Sequence, residues 1–305
     1  MPFLQLSLDA TAAQQPRVER ALEEAGALAV TLQDTHLDAP DEQAIFEPGV
    51  GELPLWEQVT ITALFDDATD PLALLAMLEA ADAGLDWTAA RFERIADQPW
   101  ERAWLDRFQP MRFGRRSWIV PWDHDLPGDA RAADAAVVRL DPGLAFGSGT
   151  HPTTALCLQW LDALADAGAL RDAEVLDFGC GSGILALAAL KLGAARAVGI
   201  DNDPQAITAT LDNAQRNGVA ERLAAYLPGD APRRPYPVVV ANILASALVE
   251  LRADIAAAVA PGGLLAMSGI LDGQQDEVIA AHADAFEAFE VARLDDWVRV
   301  SARRR

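Results

Sequence analysis

From Val175 onward the chain alternates two hydrophobic patterns, and this alternation constrains the fold more than any other feature. "AEVLDFG" reads as a strand entering a glycine-rich turn, and "SGILALAALKLGA" as a helix capped by Ser182. "ARAVGID" is the next strand. In "DPQAITATLDNAQRNGV", Asp203 is placed as N-cap, Pro204 at the first helical position and Asn217-Gly218 as the stop. "YPVVVAN" and "GGLLAMSGI" are two further strands. All-apolar runs such as "VVV" suit strands covered on both faces, so the pattern predicts a mostly parallel, doubly wound α/β sheet. The final "FEVARLDDWVRVSARRR" reads as a hairpin that adds an antiparallel strand at one end.

The first hundred residues follow a different plan. Leu4, Leu6 and Leu8 alternate with polar neighbours, as do Leu28, Val30 and Leu32, and then Val59, Ile61, Ala63 and Phe65. A period of two marks half-buried strands. "RVERALEEAG" sets Val18, Leu22 and Ala25 on one helical face and stops at Gly26. "DPLALLAMLEAAD" opens with Asp70 as N-cap and Pro71 at the first helical position. A last strand spans roughly Leu85 to Ile95. The order β-α-β-β-α-β is that of a ferredoxin-like α+β unit. "QPWERAWLDRF" spaces Trp100, Trp104 and Phe108 about a turn apart and reads as a joining helix. The expected organisation is therefore an α+β domain at 1–97, a linker helix at 98–109 and a doubly wound α/β domain at 110–305.

Composition removes several function classes. With 46 acidic against 24 basic residues, the formal net charge is −22, which repels phosphates and argues against direct nucleic-acid binding. It suits a basic protein or a cationic amine. The two cysteines, Cys157 and Cys180, cannot build a disulfide framework and lack zinc-ligand spacing, so no metal site is expected and a cytoplasmic location fits. The N-terminal "MPFLQLSLDA" lacks the marks of a signal peptide, and no run reaches the ~20 apolar residues of a membrane span. A monomer is expected.

The turn "DFGCGSG" sits where doubly wound sheets bind ligands. Eighteen residues after Gly183, Asp201 ends the next strand, placed to accept hydrogen bonds from ribose hydroxyls. Dinucleotides favour G-x-G-x-x-G, with a pyrophosphate at the helix N-terminus. Here Gly179, Gly181 and Gly183 are spaced G-x-G-x-G and follow an acid, Asp177. That carboxylate would repel a diphosphate and help hold an ammonium. S-adenosylmethionine has a ribose, an ammonium and no phosphate, so it is preferred over NAD.

Asn242 ends the strand "VVVAN", beside the expected methyl donor. Methylating an amine requires a neutral nitrogen whose lone pair is aimed at the methyl group, and an asparagine carbonyl can orient it. The alternative is that Asn242 only caps the helix that follows. "NILA" lacks the aromatic residue that would stack on a base, so an aliphatic amine is favoured. Upstream, "AFGSGTHPTT" combines Gly147 and Gly149 with hydroxyls around His151. Pro152 fits the first turn of a helix, with Thr150 or His151 at its cap. His151 has the unperturbed pKa of a proton acceptor, or serves to fix the loop. Thr154 is placed to contact the cofactor, and Phe146 to shut out water.

The blocks "DPGLAFGSGTHPTTALCL", "LDFGCGSGILALAALKLGA", "GIDNDPQAI" and "VVVANILA", in this order, resemble the bacterial ribosomal protein L-eleven methyltransferase family, PrmA. The resemblance extends from "FLQLSL" through "WERAWLDRFQPMRFG" to the C-terminus. It implies a class I (Rossmann-like) S-adenosylmethionine-dependent methyltransferase domain joined to a ferredoxin-like substrate-recognition domain. It further implies methylation of the N-terminal α-amine and lysine side chains of a large-subunit ribosomal protein, with cofactor contacts at Thr154, Gly179, Asp201 and Asn242.

Overall fold

The computed structural model describes residues 2–36, 55–95, 109–140 and 151–305. The chain divides into two compact units, Met1–Arg102 and Ala103–Arg305. The proposed joining helix at 98–108 and the segment containing Phe146, Gly147 and Gly149 lie outside the described residues.

In the small unit, β1 (Phe3–Thr11), β2 (Ala29–Asp34), β3 (Gln58–Asp66) and β4 (Arg91–Ile95) form an antiparallel sheet in the order β2-β3-β1-β4. Alternation turns Leu4, Leu6 and Leu8 of β1 and Val59, Ile61, Ala63 and Phe65 of β3 inward. There they join one core with Val18 and Leu22 of the helix Gln15–Glu24 and Leu74 and Leu78 of the helix Pro71–Ala81. Asp70 caps the second helix by accepting from the Leu72 N–H at 2.9 Å. This is the ferredoxin-like order expected from the alternation.

Two local expectations change. The strand expected from Leu85 begins only at Arg91, because a 3₁₀ turn, Trp87–Ala89, precedes it. Trp87 is buried there, its indole N–H donating to Asp82 O at 3.0 Å. Leu28, expected on the buried face, is 62% exposed. It precedes the first residue of an edge strand and has no sheet neighbour on its outer side.

The large unit opens with a separate three-stranded sheet of β5 (Met111–Phe113), β6 (Ser117–Val120) and β7 (Ala136–Arg139). Its main sheet has seven strands: β8 (Glu174–Phe178), β9 (Arg196–Ile200), β10 (Leu223–Tyr226), β11 (Tyr236–Asn242), β12 (Val259–Leu271), β13 (Phe286–Leu294) and β14 (Trp297–Arg304). Their spatial order is β10-β9-β8-β11-β12-β14-β13. The first five run parallel, and the terminal hairpin adds β14, antiparallel to β12, with β13 antiparallel to β14 at the edge. The short edge strand β10 was not expected, since "LAAY" carries no hydrophobic period.

Strand order reverses between β8 and β11, and such a switch point opens a crevice at the carboxyl ends of the strands. The helix Ile184–Lys191 runs from that crevice into the core, with Ile184 through Leu190 all buried. Lys191, the one lysine of the chain, ends this helix, and its ammonium donates to Asn217 O at 2.9 Å.

Candidate active site

The crevice is a cavity of about 1010 Å³ lined by, among others, Thr154, Phe178, Gly179, Gly181, Asp201, Asn242 and Ile243. The fold thus brings together five of the residues singled out from sequence: Thr154, Gly179, Gly181, Asp201 and Asn242. They come from four separate elements.

The turn after β8 is shaped by its glycines. Gly179, Gly181 and Gly183 have φ of +82°, +53° and +79°, a region that costs other residues strain. A Cβ on Gly179 would lie 2.3 Å from Ile243 Cγ2. The Gly179 and Cys180 N–H groups donate to Ile200 O at 2.8 and 3.0 Å, which ties the turn to the end of β9. Asp201 completes the arrangement: Oδ2 accepts from Gly181 N–H at 2.9 Å and Oδ1 from Asp203 N–H at 3.0 Å. Each oxygen keeps a lone pair for a further donor.

Asp177 requires a correction. Leu176 and Phe178 face the cavity, whereas Asp177, between them on the strand, is not among the lining residues and is fully buried. Its Oδ2 accepts from Ala186 N–H at 3.0 Å in the first turn of the helix Ile184–Lys191, and Oδ1 has no hydrogen-bond partner. Burial therefore raises its pKa well above the ordinary carboxylate range. Asp177 does not line the cavity; its carboxyl engages the first turn of a buried helix instead. Ser182 is not the N-cap residue of this helix, which is Gly183. One N–H of the helix terminus is thus engaged from within, and at this turn the acid that lines the cavity is Asp201, with Asp254 lining it elsewhere. A pyrophosphate would meet an occupied helix terminus and a carboxylate. A nucleoside with a cationic tail meets free acceptors, so the donor set fits S-adenosylmethionine.

Asn242 ends β11 opposite Ser268 of β12. Its Nδ2 donates to Thr154 Oγ1 at 3.3 Å, and among the described residues Oδ1 has no donor. The helix Ala245–Glu250 is capped at Leu244 without a side-chain hydrogen bond, so Asn242 does not serve as its cap. The chain after Asn242 is locked: Ile243 N–H donates to Ser268 O at 3.1 Å, and a Cβ on Gly269 would lie 2.2 Å from Ile243 O. Ile243, which roofs Gly179, and Gly269, which admits the Ile243 backbone, escaped the sequence reading. The available signal was the glycine inside "LLAMSGI", since a strand glycine often marks close backbone approach.

His151 is the N-cap of the helix Pro152–Asp166. Its Nδ1 lies 2.8 Å from Thr153 Oγ1 and accepts from Thr153 N–H at 3.4 Å. The imidazole stands edge-on to Trp297, centroids 4.6 Å apart, and burial lowers its pKa. It does not line the cavity. Both thiols are pushed up to about 12 by burial. Among the described residues no group of His, Cys, Asp or Glu is placed to hold a metal ion, and no helix is long and apolar enough to cross a membrane.

Fold and site together define a class I, S-adenosylmethionine-dependent methyltransferase. Comparison with known proteins narrows this. The profile of the family described as "Ribosomal protein L11 methyltransferase (PrmA)" matches residues 2–305. The chain is 61% identical to the ribosomal protein L11 methyltransferase of Stenotrophomonas maltophilia (strain K279a), and 59% identical to that of Xylella fastidiosa (strain 9a5c). Both alignments cover 100% of each chain. Among solved structures, it is similar to a ribosomal protein L11 methylase from Lactobacillus delbrueckii subsp. bulgaricus. That match has a TM-score of 0.56 and 32% identity, covering 65% of this chain and 100% of that one. The chain belongs to the ribosomal protein L11 methyltransferase family.

Proposed function

We propose that the protein methylates ribosomal protein L11 of the large subunit, at its N-terminal α-amine and lysine side chains. In this reading it works as a cytoplasmic monomer, needs no direct nucleic-acid contact, and uses the small unit for recognition and the large unit for transfer. Thr154, Gly179, Gly181, Asp201 and Asn242 hold the cofactor, with Phe146 shutting out water. The supporting observation is the Asn242 amide, whose nitrogen is engaged by Thr154 while its oxygen is left as an acceptor at the cavity wall.

When bound, S-adenosylmethionine supplies a methyl group on a sulfonium, an electrophile that needs no activating acid. The protein's task is to present a neutral amine. Asn242 Oδ1 accepts one amine N–H, which directs the lone pair along the transfer line. Positioning of this kind is worth several kcal/mol. The amine's proton passes to water or to His151, which caps the neighbouring helix and does not itself line the cavity. An unchanged pH–rate profile in His151→Ala assigns the proton to water. The assignment of substrate is tested by incubating the protein with labelled cofactor and separate ribosomal proteins, then mapping methylated positions by mass spectrometry. Label on L11 lysines and its N-terminus is expected, and label confined to other proteins or to none overturns the reading.

A further inference from the structure

The two helices of the small unit lie in one layer but differ on their outer sides. Gln15–Glu24 is amphipathic, burying Val18, Ala21 and Leu22 and exposing Arg17, Arg20, Glu23 and Glu24. Pro71–Ala81, "PLALLAMLEAA", has one charged residue, Glu79, and is apolar all round. Leu74 and Leu78 suffice to pack it on the sheet. On the far side Leu72 is 77% and Met77 54% exposed, with Ala73, Ala76 and Ala80 exposed between and beyond them. Spacings of three and four residues place these five on one stripe. A helix that is apolar all round is normally buried, and here the outer stripe has no partner among the described residues.

Charge indicates what covers it. Residues 1–102 carry 20 acidic side chains against 5 arginines, so a third of the chain holds about two-thirds of the net charge of −22. Arg17, Arg91 and Arg94 are already paired with Asp82, Asp9 and Asp67. The stripe itself is edged by exposed Asp66 and Asp70 at the start of the helix and by Glu79 near its end.

We propose that the outer face of Pro71–Ala81 is the docking surface for the protein substrate, and that it receives an amphipathic segment whose apolar side chains are flanked by lysine or arginine. Leu72 and Met77 bury the partner's apolar residues while the surrounding carboxylates meet its cations. The inference rests on the reading that the substrate is a basic protein, and it names the surface that reads it.

Calorimetric titration of ribosomal protein L11 onto the full-length protein tests this, using the Leu72→Ser/Met77→Ser double variant, Glu79→Lys, and Gln33→Ser as a control on another face. The double variant is expected to weaken Kd about tenfold or more. Glu79→Lys should weaken it severalfold at low salt only, and the control should leave it unchanged. Far-ultraviolet circular dichroism and thermal melts of the same samples report that the variants are folded. Unaltered L11 binding by the double variant overturns the proposal. So does a shift from dimer to monomer in sedimentation, which would show a second copy on the face. If the wild type neither binds nor methylates L11, the substrate reading fails by itself. An amphipathic leucine–lysine peptide then serves as the probe: loss of its binding in the double variant keeps the face, and retention overturns it.

Discussion

In the proposed mechanism the contact between Asn242 and Thr154 links an accepting carbonyl to the reaction. An asparagine amide can turn over and present its NH₂ instead of its oxygen, and a donor cannot hold an amine by its N–H. In the orientation present, Nδ2 donates to the Thr154 hydroxyl and Oδ1 is the atom left for an amine. Asn242→Ala is expected to lower kcat by about 100-fold or more, since misplacement of the reacting group is costly. Thr154→Val frees the amide to turn and should lower kcat by about tenfold, and Thr154→Ser should restore most of it. Steady-state kinetics on both residues checks this. At Gly179 the constraint is steric: the residue has φ of +82° and a Cβ would stand 2.3 Å from Ile243 Cγ2. Gly179→Ala should cost about 1–3 kcal/mol from clash and strain. Removing the clash with Ile243→Ala should recover part of that loss in a denaturant melt.

At the scale of elements, β8 and the helix after it are joined by a buried acid. Ala186 N–H is satisfied by Asp177 Oδ2, so a helix entering the core without a side-chain cap of its own has one of its orphan donors met. The price is a carboxyl kept out of water, with its pKa raised above the ordinary value of 3.8. The sign follows from linkage. Below that value both folded and unfolded states are protonated and nothing is lost. As pH rises, the unfolded chain ionises first, so this group's contribution to stability falls until the raised folded pKa is passed. Asp177→Asn keeps an acceptor for Ala186 and cannot ionise. Its melting temperature relative to wild type should therefore climb with pH above about 4 and then level off. A difference that is flat with pH would show that the carboxyl is not held neutral.

For the whole molecule the governing quantity is charge. A net −22 steers a cationic protein toward the surface, and such attraction is screened over about 8–10 Å at moderate salt. Raising the salt concentration is expected to increase KM for the protein substrate while kcat stays nearly constant. A matched fall in kcat would place the charge effect in the transfer step instead.

The element plan was readable in the residues because each local signal is a matter of periodicity or capping. Alternation at Val59 to Phe65 has one solution as a half-buried strand, and Asp203-Pro204 and Asp70-Pro71 open helices wherever they occur. The glycine turn and Asp201 could also be found, since a parallel sheet confines ligands to the carboxyl ends of its strands. Sequence alone left three things undetermined, all of them set by contacts across long stretches of chain. Asp177 is adjacent to the turn in sequence, but strand alternation turns it away from the cavity, where burial raises its pKa. Asn242 and Thr154, 88 residues apart, acquire their roles only when β11 and the helix Pro152–Asp166 meet. The helix Pro71–Ala81 looks like core along its whole length, and only packing shows that one apolar side faces outward. Local physics determined which elements form, and the tertiary structure decided which of their side chains are charged, fixed in place or exposed.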